Sequence, residues 1–303
     1  MTALFALMMS LVLTACSAVP PVVSVYAAPS PARTPEAARA AEPAEAADGA
    51  PVCYVVDTDV SSDSAAAEDG TPLVSCRFAL PVMTVVREDG YSLEAGETPE
   101  EIRALEIAEA FNARFAEWAA SPEFEGLAEE ARELLDWQRQ EGIPWFGGYT
   151  LELTCEIYQT DTLVSVLGTY YSNTGGAHPN TWQLGWTFDL LQGTFLEPEL
   201  LSEGTELLDA VSEEILRQAD APDENGRALS EDYWEDREAI IANWYSYAVS
   251  FDAGGMTVTF SPYELAPYAM GAQCFHLPYD FLAPCLSDYG RMLLGIEAPP
   301  EIP

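Results

Sequence analysis

Chemistry has few places to reside in this chain. Histidine occurs only at positions 178 and 276, and lysine is absent because all twelve basic residues are arginine. Without an ε-amine there is no Schiff base, no P-loop lysine and no kinase-type phosphate lysine, so nucleotide phosphotransfer is not expected. Ser172 and His178 pair a nucleophile type with a base type in one loop, but no GxSxG elbow and no orienting acid accompanies them. No CxxC or HExxH spacing occurs, and two histidines cannot build a His-rich zinc site. Neither a metal nor a cofactor is expected, and no catalytic residue is assigned. Asp57, Asp59, Ser61 and Glu68 fall on positions 1, 3, 5 and 12 of an EF-hand-like loop. Ser62 stands where that loop needs glycine, and the flanks read as strands, so a solvated acidic loop is expected instead. Acidic side chains are abundant, yet no two can be set at the separation that glycoside hydrolysis requires. An envelope hydrolase working through paired carboxylates is therefore the alternative reading rather than the first.

The segment most suited to recognition is Tyr170–Thr181, which reads YYSNTGGAHPNT. Gly175 and Gly176 can take positive φ without steric cost, and His178 before Pro179 is pushed to extended backbone, so this loop is shaped. Its Ser172, Asn173, Thr174 and His178 side chains offer polar contacts. His276 alternates with apolar residues in a strand-like run and is expected to be partly buried.

Two kinds of element position these residues. Val52–Asp57 and Leu73–Val86 read as extended segments flanking the acidic loop, the second bent or at an edge because of Pro81. Thr98-Pro99-Glu100-Glu101 forms a capping box that opens a helix to about Ala120. In that helix Ile102, Leu105, Ala108, Phe111, Phe115 and Trp118 keep helical spacing and are the expected core, with the glutamates solvated. A second helix starts at Ser121-Pro122 and runs to about Gln140. From Tyr149 the period becomes two: Leu151, Leu153, Cys155 and Ile157 alternate with polar residues, Leu163–Tyr171 is the hairpin partner, and Trp182, Leu184, Trp186 and Phe188 share one face of a third strand. Helices follow at about 198–219 and 230–244, then strands near 247–251, 256–260 and 272–277. Strands and helices in runs predict α+β architecture: two small domains, 51–164 and 165–297, each with antiparallel strands against helices.

Composition sets the compartment and the partners. A chain with 49% hydrophobic residues and 11% aromatics has material for a real core. Twelve arginines against 50 acids give a net charge of -38, which repels nucleic acid and attracts basic partners by steering that salt weakens. Residues 1–16 are too short to span a bilayer and read as a lipoprotein signal peptide. Leu13-Thr14-Ala15-Cys16 resembles the bacterial lipobox, which implies lipidation of Cys16 and an extracytoplasmic protein anchored to the cell membrane. No Lys or Arg precedes that apolar run. Residues 17–50 are rich in Pro and Ala and read as a tether. Export permits disulfides: Cys53 and Cys76 are the first candidate pair, stabilising by about 3 kcal/mol in the loop-entropy view, and Cys274 with Cys285 the second. Cys155 reads as a small core residue, and five reduced thiols are the alternative.

The order of a strand, Ser172-Asn173-Thr174-Gly175-Gly176-Ala177-His178, an aromatic strand with Phe188-Asp189-Leu190, a helical block and then Phe260-Ser261-Pro262-Tyr263-Glu264-Leu265-Ala266-Pro267-Tyr268-Ala269-Met270-Gly271 resembles the domain of unknown function 3298 over residues 165–295. The preceding block, with Ala110-Phe111-Asn112 on its helix, resembles the domain of unknown function 4163. The pair is similar to the extracytoplasmic part of a lysozyme-sensing anti-sigma factor, and it also accompanies a peptidoglycan deacetylase domain. The resemblance implies a non-catalytic ligand-binding module whose glycine loop and Pro262-Tyr263 turn meet a partner, with lysozyme, another basic envelope protein or a cell-wall glycan as the expected ligand. Tyr263 and Tyr268, on either side of Pro267, are the aromatic anchors such an interface favours.

Overall fold

Strands of period two build one large sheet in the computed structural model, which describes residues 52–120 and 124–296. The signal peptide, Cys16, the tether and the expected helix start at Ser121-Pro122 lie outside the described residues. β1 (Val52–Ala66), β2 (Pro72–Arg87), β3 (Tyr149–Gln159), β4 (Leu163–Asn173), β5 (Asn180–Asp189) and β6 (Thr194–Phe195) lie in chain order in a six-stranded sheet. Every neighbouring pair is antiparallel except β2 with β3. That pair is parallel because α1 (Pro99–Ala120) and α2 (Phe124–Glu141) carry the chain back across the sheet between them, the long crossover a parallel pair requires. A second sheet of β7 (Ala248–Phe251), β8 (Gly255–Phe260) and β9 (Gln273–Pro278) is antiparallel throughout. α3 (Glu206–Ala219), α4 (Arg237–Ala242), α5 (Tyr279–Leu282) and α6 (Asp288–Leu293) accompany it. The architecture is α+β, as the patterning predicts.

Several expectations are corrected in detail. The acidic stretch after Asp57 is strand rather than loop: β1 runs on to Ala66 and pairs with β2 almost throughout. In α1, Ile102 is 47% exposed while Ala104 and Ile107 are buried, so the inward stripe is offset from the one drawn by spacing. The capping box forms as expected, with Glu101 N–H donating to Thr98 Oγ1 and Thr98 N–H to the Glu101 carboxylate. Glu101 is nevertheless buried, not solvated, and Arg87 donates to it at 3.0 Å. His276 is exposed beside Thr257. The helix expected over 198–219 is a 3-10 turn, Pro198–Leu201, separated by residues 202–205 from α3.

The domain division also shifts. The boundary expected after residue 164 falls inside β4, which is bonded to β3 and β5 on both sides. The described residues form one compact unit, within which one hydrophobic cluster gathers β2–β5 with α1 and α2, and another gathers Leu163 and residues 201–294. The two meet across the sheet. Ser165 Oγ on β4 accepts the Phe251 N–H of β7 at 2.8 Å, and β7 passes so close to β5 that a Cβ at Gly185 would lie 2.4 Å from Val249 backbone.

Side-chain amides finish the sheet where strands do not. β2 stops pairing with β3 at Phe78, before Pro81, which has no N–H to offer on that side. Beyond it, Asn112 of α1 stands in for a strand, its Oδ1 accepting from Met83 N–H at 2.8 Å and its Nδ2 donating to Met83 O at 2.9 Å. Gln159 does the same for β1, accepting from Val56 N–H and donating to Tyr54 O.

The five cysteines among the described residues are unbridged. Cys53 faces Val86 and Cys76 faces Asp63 in the β1–β2 register, ten positions apart, roughly 33 Å at strand rise. That exceeds the Cα separation a disulfide tolerates several-fold. Cys274 and Cys285 are also free, and burial pushes the Cys155 thiol up to about 12, as befits a small core residue. Among the described residues no helix is long and apolar enough to cross a membrane.

Candidate functional site

The glycine loop is the tip of the β4–β5 hairpin. Ser172 and Asn173 are the last residues of β4, Ser172 facing Asn180 of β5, so the irregular part is shorter than the motif. Asn173 Oδ1 accepts the Gly175 N–H at 3.2 Å, and Gly175 takes φ +82°. A side chain is barred there twice, by that backbone and by the Phe146 ring, which a Cβ would approach to 2.9 Å. Gly176 is not in the left-handed region, and a Cβ there would meet only His178 O at an ordinary 3.7 Å, so only the first glycine is demanded by geometry. Thr174 and Gly176 are exposed.

The chain then turns back at His178 onto residues 85 and 90 positions later. His178 Nδ1 lies 2.9 Å from Pro179 O and Nε2 lies 3.0 Å from the Tyr263 hydroxyl. A carbonyl can only accept, so Nδ1 carries a proton, and in the neutral ring Nε2 accepts from Tyr263. The imidazole also stacks on Tyr268, centroids 3.8 Å apart and 14° from parallel, while Tyr263 and Tyr268 sit 5.5 Å apart. The structure thus brings His178, Tyr263 and Tyr268 into one aromatic cluster. Both nitrogens of His178 are engaged away from Ser172, and Ser172 belongs to the strand ladder.

The turn presenting Tyr263 is strained and braced. Among the described residues Tyr263 is the one non-glycine with positive φ, at +75°, and its side chain is 52% exposed. Left-handed backbone costs a residue with a Cβ about 1–2 kcal/mol. Surrounding bonds hold it: Tyr263 N–H donates to Ala266 O at 3.1 Å, and Tyr263 O accepts the Trp234 indole N–H at 3.1 Å. Trp234 N–H also donates to Leu265 O, and Leu265 and Ala266 are buried in the second cluster. Ser261 fixes the turn to the hairpin, because its Oγ accepts the outward N–H of Gln183 on β5 at 3.0 Å. Pro262 sits half-buried between Ser261 and Tyr263. Glu264 accepts the Ser261 N–H, and burial pushes its carboxyl above the usual range. Below Tyr268, buried Gln273 donates to Met270 O and accepts from Tyr233, whose hydroxyl burial pushes up to about 12.

The motif reading located His178, Tyr263 and Tyr268 but missed Trp234, Tyr233, Gln273 and Phe146. Trp234 stands in an acidic, irregular stretch with no period to flag it, and Phe146 follows a helix end. Ser172, Asn173, Thr174 and Gly176 contribute hairpin and surface but no bond to the cluster. Among the described residues no group of three or more His, Cys, Asp or Glu side chains is placed to hold a metal.

Comparison with known proteins places this geometry in a family context. The model of the family "Protein of unknown function (DUF3298)" matches residues 198–280, so the chain carries a DUF3298 domain. The match takes in the Pro262–Tyr268 turn and leaves the glycine loop outside, narrower than the 165–295 the resemblance covers. A solved member of that family from Bacteroides fragilis shares the fold at TM-score 0.55 and 13% identity, covering 81% of this chain and 98% of its own. Another from Pseudomonas aeruginosa aligns at TM-score 0.39 and 18% identity, over 80% and 97% of the two chains. No curated protein matches the chain.

Proposed function

We propose that this chain is an extracytoplasmic lipoprotein whose folded part binds a basic protein of the cell envelope, such as lysozyme, through the cluster of His178, Tyr263 and Tyr268. The carrying observation is Tyr263: a half-exposed tyrosine held in left-handed backbone, with its hydroxyl on His178 and its carbonyl on Trp234. Strain that surrounding bonds over-determine is characteristic of binding and catalytic positions. Tyr263 is exposed beside half-buried His178 and Tyr268, and exposed Phe146 lies against Gly175 of the same hairpin tip. An exposed tyrosine set among aromatic side chains suits a macromolecular partner, whose interfaces favour such anchors. The net charge supplies attraction toward a basic partner. The resemblance of residues 51–164 to the domain of unknown function 4163, and of the pair to a lysozyme-sensing ectodomain, agrees with this reading, and Cys16 would carry the lipid.

Mixing the soluble chain with lysozyme at low and moderate salt tests it. A complex is expected that Tyr263→Ala weakens by about tenfold or more, in the range a central aromatic contact supplies, and that persists at moderate salt. No complex at low salt overturns the lysozyme reading, and one indifferent to Tyr263→Ala overturns the assigned surface.

A further inference from the structure

Among the described residues β1 is an edge strand, paired with β2 along nearly its whole length and with no strand on its other side. Alternate residues of such a strand turn N–H and C=O outward. The Gln159 bonds to Tyr54 O and Val56 N–H identify the even-numbered residues as the outward set. Thr58, Val60 and Ser64 continue that set, and the N–H of each donates to the carboxylate of the aspartate before it, Asp57, Asp59 and Asp63, at 2.7, 2.9 and 2.7 Å. Ser62, preceded by Ser61, has no such carboxylate. The edge is therefore occupied by its own acids, which are exposed, and β1 contains no basic residue.

We propose that the outward edge of β1 from Thr58 to Ser64 accepts a basic extended protein segment as an added strand. Each carboxylate now serves a neutral N–H. An incoming strand with Arg or Lys at alternate positions offers the carboxylates a charge-assisted bond, while its carbonyls take over the released N–H groups and its own N–H groups reach the outward carbonyls of β1. A neutral strand can only compete for amides already bonded, and a second copy of this edge would set aspartate against aspartate. The edge thus selects for cationic partners. Val60, 46% exposed, lies on the face opposite the aspartates and gives the apolar side chains of such a strand a contact there.

The test uses the full chain and fluorescently labelled octapeptides: one alternating Arg and Val, one of the same composition with the four Arg in a block, and one alternating Ser and Val. The alternating Arg peptide is expected to bind at low salt and to protect the Thr58–Ser64 amides from hydrogen exchange, and the Ser peptide is expected not to bind. Asp57→Asn/Asp59→Asn/Asp63→Asn should weaken binding about tenfold, the combined effect of three exposed ion pairs. Val60→Pro removes one outward N–H without touching the β2 ladder and should weaken it too. If that variant fails to fold, N-methylating alternate residues of the peptide blocks the same ladder from the other side. Equal binding of the block peptide, indifference to both Val60→Pro and N-methylation, protection elsewhere, or no binding at low salt would each overturn the proposal.

Discussion

The Tyr263 turn and the outer edge of β1 are both exposed surfaces on one acidic molecule, but they are held in opposite ways. The turn is braced from inside by Leu265, Ala266, Trp234 and the Tyr233–Gln273 bond, with strain on its exposed tyrosine. The edge is held from outside, by solvated aspartates on their own backbone and by one Gln159 amide. The first surface is preorganised and needs no rearrangement to meet a partner, which keeps the ordering cost of binding low. The second must exchange its bonds, so charge decides what it meets.

The sharpest way to break this contrast is to remove the inner brace. Leu265→Ala leaves a cavity beneath the turn and should lower stability by about 2–5 kcal/mol, read in urea melts, and should weaken partner binding in the fraction that stays folded. A loss under about 1 kcal/mol would show that the turn does not depend on the core. Next in size is the strain itself: Tyr263→Gly should raise stability by about 1 kcal/mol while abolishing the His178 contact and weakening binding at least as much as Tyr263→Ala. If stability falls instead, the left-handed backbone is not a cost the fold carries.

Glu264 gives a pH signature. Burial raises its folded value, so its contribution to stability is full below the unfolded value of about 4.3 and is lost as pH rises through the folded one. Gln keeps an acceptor for the Ser261 N–H without the charge. Glu264→Gln should therefore be more stable than the parent at pH 7 and equal to it near pH 4 in thermal melts. An advantage independent of pH would point away from charge burial. The smallest expected effect falls on the edge: Asp57→Asn/Asp59→Asn/Asp63→Asn should shift stability by no more than about 0.5 kcal/mol per site, since exposed polar bonds contribute little. A larger loss would make the carboxylates structural.

How much of this was legible in the sequence differs between the same two regions. The second half reads well because its motifs are local. Gly175 announces its own φ, and two tyrosines flanking a proline mark a turn, although the contact with His178 spans 85 positions and only the family resemblance linked them. The first half misleads where the signal is tertiary. Asp57–Ser64 has turn composition, yet the long β2 partner imposes strand register and turns those acids into edge caps. The disulfide between Cys53 and Cys76 failed for the same reason, because a tight hairpin at 67–71 puts the two thiols at opposite ends of the pair. Trp234 and Gln273 carried no signal, since their role is a bond to a backbone carbonyl or a distant tyrosine rather than membership of a periodic face.

In the proposed reading the hairpin tip and the Tyr263 turn act as one contact surface for a basic partner. Hydrogen exchange on the chain with and without lysozyme tests it most directly. Joint protection of residues 174–178 and 263–268, lost together in both His178→Ala and Tyr263→Ala, is the predicted result. Protection of one segment without the other, or of neither while a complex still forms, would contradict it.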